Sequence, residues 1–196
     1  MTSGLVIFLK YPQLGKVKTR LAKSIGEEKA LEIYRYLVHN TICKSNGTHF
    51  CELHFQGQLP KEHPFSNLTC NYQVGANIGE RMFNSLDLVL KKADVALLIG
   101  TDVPEISPEI IESSLKALES ADIVFGPSKD GGYYLIGMKK AHSQIFQLEK
   151  WSHSKVLDQS IEKVKSLGLT YALVKELNDV DTYQDLKAFP DLMAFL

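Results

Sequence analysis

The chain has 196 residues, 44% of them hydrophobic and 23% charged, with a formal net charge of −1. That length suits one domain with its own core and is short for two. The charge balance leaves no overall basic footprint for nucleic acid or an anionic membrane. The three cysteines, Cys43, Cys51 and Cys70, lack metal-site spacing and are expected as reduced, buried thiols of a cytoplasmic protein. Leu5–Leu9 is too short for a signal-peptide core, and no run reaches membrane-spanning length. The tripeptides Asn46-Gly47-Thr48 and Asn67-Leu68-Thr69 match glycosylation acceptors, which chance supplies often; without a signal peptide they carry no weight.

Leu5–Lys10 predicts a first buried strand, followed by a loop over Tyr11–Val17. A short helix starts within Lys18–Lys23, with Gly26 as its stop. Glu27–Lys44 carries a helical stripe through Ala30, Leu31, Tyr34, Leu37, Val38 and Ile42. His49–Phe55 reads as a second strand, Gln56–Asn67 as a loop and Thr69–Val74 as a short strand. Ile78–Lys92 reads as a helix. Val95–Ile99 is an all-apolar run ended by Gly100 and Pro104, as a strand buried on both faces should be. Pro108–Ser120 follows as a helix with proline at its first turn. Strands at Ile123–Phe125 and Tyr133–Met138, a helix over Ser152–Leu167, a strand over Tyr171–Leu177 and a helix over Thr182–Phe189 complete the chain. Strands alternating with helices of this size predict an α/β fold: a mainly parallel sheet with helices on both faces, in a single domain over residues 1–196.

Four stretches could carry chemistry. Asp102 stands where the buried strand stops, and ligands of open α/β sheets sit outside the carboxyl ends of the strands. Taken alone, a turn-capping role is equally good, since Asp is common in turns. Lys10, Gly15, Lys16, Lys18 and Arg20 follow the first strand and precede a helix. Cations, glycine and free N–H groups there suit phosphate, although the stretch is neither a Walker A loop nor GxGxxG; the plainer reading is a solvated basic loop. Gly126–Tyr134 contains Asp130, Gly131, Gly132 and Tyr133, and predicts a tight turn that could also meet a ligand. Asp179 and Asp181 follow the last strand. As alternate residues of an extended segment they point the same way, while Asp181 by itself reads best as a helix cap. Asp102 and Asp181 would offer Mg²⁺ two carboxylates from two strand ends. Trp151 could stack on a ligand or simply pack.

Six motifs in order, KYPQLGKVKTRLA, QVGANIGERM (Gln73–Met82), IGTDVPE, GPSKDGGYYLIG, Trp151-Ser152 and DVDT, resemble a bacterial family of glycosyltransferase-like proteins, the radical-SAM/selenodomain-associated transferases. The resemblance covers nearly the whole chain. It implies the GT-A fold of nucleotide-diphospho-sugar transferases, a Rossmann-like three-layer sandwich that nucleotidyltransferases share. The K…KTRLA loop is similar to that of phospholactate guanylyltransferases. By this resemblance Lys10, Lys16, Lys18 and Arg20 contact nucleotide phosphates. Asp102 and Asp181 hold a divalent cation, Mg²⁺ or Mn²⁺. Gln73, Gly79 and Arg81 lie beside the base, and Gly131, Gly132 and Tyr133 line the acceptor side. The glycosyltransferase DxD and the nucleotidyltransferase LxxGxGxR loop are both absent.

The expected activity is a metal-dependent transferase acting on a nucleotide sugar and a small-molecule acceptor, with Asp102 and Lys18 at the reacting phosphates and Asp130 as candidate base. The alternatives are a nucleotidyltransferase using a nucleoside triphosphate, and a non-catalytic nucleotide-binding protein. No nucleic acid partner and no membrane span are expected; a monomer or homodimer is.

Overall fold

The apolar runs pair into one sheet. The computed structural model describes residues 1–45, 47, 50–59, 68–151 and 153–196. Strands β1 (Ser3–Lys10), β2 (Phe50–Gln56), β3 (Thr69–Tyr72), β4 (Val95–Ile99), β5 (Ile123–Pro127), β6 (Tyr133–Met138) and β7 (Tyr171–Leu173) form seven strands in the order β3-β2-β1-β4-β6-β5-β7. Only β6 runs antiparallel to its neighbours, as the second arm of the hairpin that the Asp130-Gly131 turn closes. The helices are α1 (Thr19–Ile25), α2 (Glu27–Lys44), α3 (Ile78–Leu90), α4 (Pro108–Ser120), α5 (Val156–Ser166), α6 (Tyr183–Leu186) and α7 (Pro190–Met193), with a 3₁₀ turn at Ser143–Phe146. Among the described residues, no helix is long and apolar enough to cross a membrane.

Strand alternation divides the core. Leu5, Ile7 and Leu9 of β1 pack with Tyr34, Val38, Ile111 and Leu118, which belong to α2 and α4. Val6 and Phe8 pack with Met82, Leu86, Phe146 and Val164 on the opposite face. Burying each such side chain contributes roughly 1.5–3 kcal/mol. A third cluster joins Leu21, Ile33 and Leu37 to Val180, Leu186 and Leu192, so the C-terminal segment is fastened against α1 and α2. That fastening brings Asp179 and Asp181 to the loop after β1.

Several boundaries differ from expectation. The helix expected from Ser152 begins at Val156; the main-chain N–H of Lys155 is instead drawn to the His153 ring. The last strand ends at Leu173 rather than Leu177, yet the chain keeps following β5, with Val174 N–H donating to the Phe125 carbonyl and Leu177 N–H to that of Pro127. The C-terminal helix is split at Phe189, because Pro190 has no N–H with which to continue α6 and instead opens α7. All three cysteines are free, but the expectation that they are buried is corrected: Cys43 is exposed near the end of α2, and Cys51 and Cys70 are half-buried. Burial, helped by the Glu52 charge, pushes the Cys51 thiol up to about 12. His49 of the expected second strand, residues 60–67 of the expected loop, Ser152, and residues 46, 48 and 67 of the two tripeptides lie outside the described residues.

Candidate active site

β1 ends at Lys10, whose main chain is fixed by a side chain from α2. Tyr34 Oη accepts from the Lys10 N–H at 2.8 Å and stands 3.1 Å from the Lys10 carbonyl. Burial, then the nearby Asp102 charge, raises the Tyr34 phenol well above its ordinary range. The loop then turns through Gly15 (φ 70°) to Lys18, a non-glycine residue in the left-handed region at φ 47°. Such a conformation costs about 1–3 kcal/mol and persists where the surroundings hold it. What holds Lys18 is its ammonium. The side chain is 4% exposed and donates both to Asp102 Oδ1 and to the Val180 carbonyl. Arg20, two residues further on in the first turn of α1 and exposed, pairs with Asp181 Oδ2 at 2.7 Å.

Asp102 follows β4 in a loop tied down on two sides. Its carbonyl accepts from Val180 N–H at 2.9 Å, and Asn40 of α2 donates to the Pro104 carbonyl at 3.0 Å. Its carboxylate remains 54% exposed. Asp130 shapes the β5–β6 turn, its Oδ1 accepting from Ser128 Oγ at 2.5 Å and Gly132 N–H at 2.9 Å. Asp181 is not the cap of α6; Thr182 is, in a reciprocal capping box with Asp185, which leaves the Asp181 carboxylate to Arg20. Burial, then the Asp130 charge, raises Asp179 above its ordinary value, with Asp102 adding to the effect.

The opposite wall depends on two glycines. A Cβ on Gly79 would lie 2.4 Å from the Phe146 carbonyl oxygen and 2.7 Å from Trp151 Cζ2, so Trp151 rests on α3 only because residue 79 has no side chain. Gly131, at φ 88°, stands where a Cβ would meet Ser154 O at 2.1 Å. Gly79→Ala is therefore expected to displace Trp151, the chain's one tryptophan, and to cost about 1–3 kcal/mol as an overpacked contact. A shift in tryptophan emission together with a lower urea midpoint checks this; an unchanged emission spectrum would refute the contact.

These elements enclose an open cleft of about 400 Å³ at the carboxyl edge of the sheet. Of the residues expected from sequence, Lys10, Lys18, Gln73, Asp102, Asp130, Gly132, Tyr133, Trp151 and Asp181 line it. Gly15, Lys16, Arg20, Arg81 and Gly131 do not. Arg81 instead donates through Nε to the Gly75 carbonyl at 3.1 Å, bracing the turn before α3. Gln73 is held by its amide nitrogen, which donates to the Leu9 and His54 carbonyls. The cleft also recruits Tyr34, Thr101, His153 and Asp179. Tyr34 reads in the sequence as one more member of an apolar stripe; its hydroxyl, which a buried tyrosine has to satisfy, was the available signal.

The fold is the α/β fold of GT-A-like and nucleotidyltransferase structures. The chain belongs to the family DUF2064, described as an uncharacterized protein conserved in bacteria, which matches residues 44–153. No curated protein matches it in sequence. A candidate nucleotide-diphospho-sugar transferase from Desulfovibrio desulfuricans G20 is 29% identical, with a TM-score of 0.87 over 96% of this chain and 86% of that one. The 4-diphosphocytidyl-2C-methyl-D-erythritol synthase of Anaerococcus prevotii DSM 20548 is 11% identical at a TM-score of 0.61, covering 98% of both chains. A CMP:2-keto-3-deoxy-manno-octonic acid synthetase complexed with CTP is 12% identical at 0.57, covering 99% of both. At the identities of these last two, the likeness is one of fold.

Proposed function

We propose that this protein is a metal-dependent transferase that takes a nucleotide sugar as donor, the whole chain acting as one GT-A-like domain in the bacterial cytoplasm. In this reading it is akin to the radical-SAM/selenodomain-associated transferases, with a phosphate loop like that of the phospholactate guanylyltransferases. The observation that carries the proposal is the meeting of Lys18 with Asp102 at the end of β4, inside the cleft. The likeness to the Desulfovibrio protein supports a nucleotide sugar over a triphosphate.

Lys10 and Lys18 bind the diphosphate, with Arg20 and Lys16 drawing it in from the rim. Gln73 stands beside the base. Gly132, Tyr133 and Trp151 line the acceptor side, and Asp130 takes the acceptor's proton. The donor set fits a hard divalent cation. Asp102, Asp130, Asp179 and Asp181 offer carboxylate oxygens to one cleft, and Asp102 spends only Oδ1 on Lys18. Among the described residues, no group of three or more His, Cys, Asp or Glu is gathered closely enough to hold a metal by itself. That suits an ion whose shell is completed by substrate phosphate and water, as is usual for Mg²⁺. Asp102 and Asp181 would hold Mg²⁺ or Mn²⁺, which supplies neutralising charge for the leaving diphosphate. The preorganised ammonium of Lys18 does the same from the protein side, without reorganising as the charge grows.

A thermal-shift series of nucleoside diphosphates, nucleotide sugars and nucleoside triphosphates, with Mg²⁺, Mn²⁺ or chelator, tests the reading. A ligand at a hundred times its Kd stabilises by about 2.7 kcal/mol, which for a chain of this size raises Tm by roughly 5–10 °C. A metal-dependent rise with a nucleotide sugar or diphosphate is expected. A rise with triphosphates alone would turn the assignment to nucleotidyl transfer, and no rise with any of them would end it.

A further inference from the structure

The charges of the cleft are sorted along the sheet edge, and the sorting bears on the acceptor. The inference rests on the donor reading above. Lys10 and Lys18, the lysines among the described residues that line the cleft, sit where β1 ends and on the loop that follows it. The carboxylates lie beyond them, with Asp102 after β4, Asp130 after β5, and Asp179 and Asp181 after β7. Asp102 and Asp181 are paired with Lys18 and Arg20. Asp130 and Asp179 form no salt bridge among the described residues and stand close enough for the Asp130 charge to act on Asp179. Tyr133, Trp151 and Val156 line the cleft as well; the Asp130 turn meets the start of α5 through Gly131, whose carbonyl accepts from Leu157 N–H at 3.0 Å, and Trp151 rests on Gly79 of α3. His153 brings no free donor here: its Nδ1 accepts from Lys155 N–H at 3.1 Å, and Nε2 lies 3.2 Å from the Lys150 carbonyl. Lys150 and Lys155, on either side of it, line an adjoining outer groove that meets the cleft at His153 and carries Glu149 and Glu162 as well.

We infer that the acceptor is an uncharged or cationic molecule presenting a hydroxyl or an amine, and that phosphorylated acceptors are turned away. A phosphomonoester at this end would face two carboxylates without an ion-pair partner, and the lysine whose charge reaches Asp179, Lys18, is already engaged by Asp102 and the Val180 carbonyl. Carboxylates beside aromatic side chains suit instead a sugar ring or an amine. The transfer balances with such an acceptor. Its oxygen or nitrogen bonds to the anomeric carbon of the donor as the bond from that carbon to the diphosphate oxygen breaks. The diphosphate leaves with the bonding pair, and the acceptor's proton passes to Asp130 and on to solvent.

The test uses matched probes on the protein loaded with Mg²⁺ and the nucleoside diphosphate that raises Tm most. Calorimetric titration compares glucose, glucosamine and glucose 6-phosphate, and glycerol with glycerol 3-phosphate. In at least one pair the unphosphorylated or amino member is expected to bind about tenfold or more tightly than its phosphate. The double variant Asp130→Asn, Asp179→Asn keeps an acceptor oxygen for Ser128 and Gly132, and should tighten the phosphate members about tenfold or more. Phosphates binding as well as their parents in every pair, or no gain in the double variant, would overturn the inference while leaving the donor reading standing. Failure of any nucleotide to load would instead remove the donor reading, and the acceptor inference with it.

Discussion

Replacing Asp102 by alanine is expected to lower folding stability by about 3 kcal/mol before any ligand is added. The reason lies on the other side of the ion pair. The Lys18 side chain is 4% exposed, and Asp102 is its salt-bridge partner among the described residues. Removing one partner of a buried pair costs roughly 3–5 kcal/mol, because the charge left behind has lost its water. The low end applies here because Asp102 itself is 54% exposed and partly screened. Asp102→Asn should cost less, since it keeps an oxygen for Lys18. Lys18→Met on the Asp102→Ala background should recover most of the loss, because it removes the stranded charge. Lys18→Gly on the same background gives up the lysine stem but relaxes the backbone at φ 47°. A double-mutant cycle read by urea unfolding measures the coupling. An Asp102→Ala protein as stable as the parent, or a coupling below about 0.5 kcal/mol, would mean that the pair does not hold this loop.

That coupling was not legible in the sequence, although its members were. Val95–Ile99, Pro108–Ser120, Tyr133–Met138 and Glu27–Lys44 all form over the residues their patterns predict. Their signals are local: buried runs, a proline at a helix start, a stripe closed by caps. The sheet edge followed as well, since strand ends collect whatever residue comes next. What residue types alone did not show was pairing at long range. Lys18 and Arg20 read as phosphate ligands and Asp102 and Asp181 as metal ligands, yet in the folded chain each cation holds a carboxylate across more than eighty positions. Nothing local announces this; it depends on Val180, Leu186 and Leu192 docking against α1 and α2. The contact of Arg81 was illegible for the opposite reason. Its partner, the Gly75 carbonyl, is close in sequence, but main-chain acceptors leave no trace in residue types.

The same limit concealed the second large effect, in the polar group beneath β2. Glu52 and His54 lie on the face of β2 that carries Val6 and Phe8 in register on β1, and the His54 ring stacks on Phe8. Glu52, 4% exposed, accepts from Lys92 Nζ at 2.7 Å and from Asn71 Nδ2 at 2.8 Å, and faces His54 Nε2 at 3.3 Å. His54 Nδ1 stands 2.8 Å from Ser85 Oγ. Glu52→Ala is expected to cost about 3 kcal/mol at neutral pH. Lys92, 49% exposed, can turn to water, so the loss falls on His54 and Asn71, which are left without their acceptor. The pH dependence has a definite sign. The hydrogen bond to His54, then Lys92, holds the Glu52 carboxyl below its ordinary 4.5, against the opposing effect of burial. A carboxyl depressed by folding contributes stability that is fully present above the unfolded value and is lost as pH falls through the folded one. The gap in unfolding free energy between the parent and Glu52→Gln should therefore be flat above about pH 5 and shrink below pH 4.5. Urea midpoints taken between pH 3 and 7 would show it. A gap that stays constant across that range would mean that the carboxylate charge contributes nothing, and that the network is held by neutral hydrogen bonds alone.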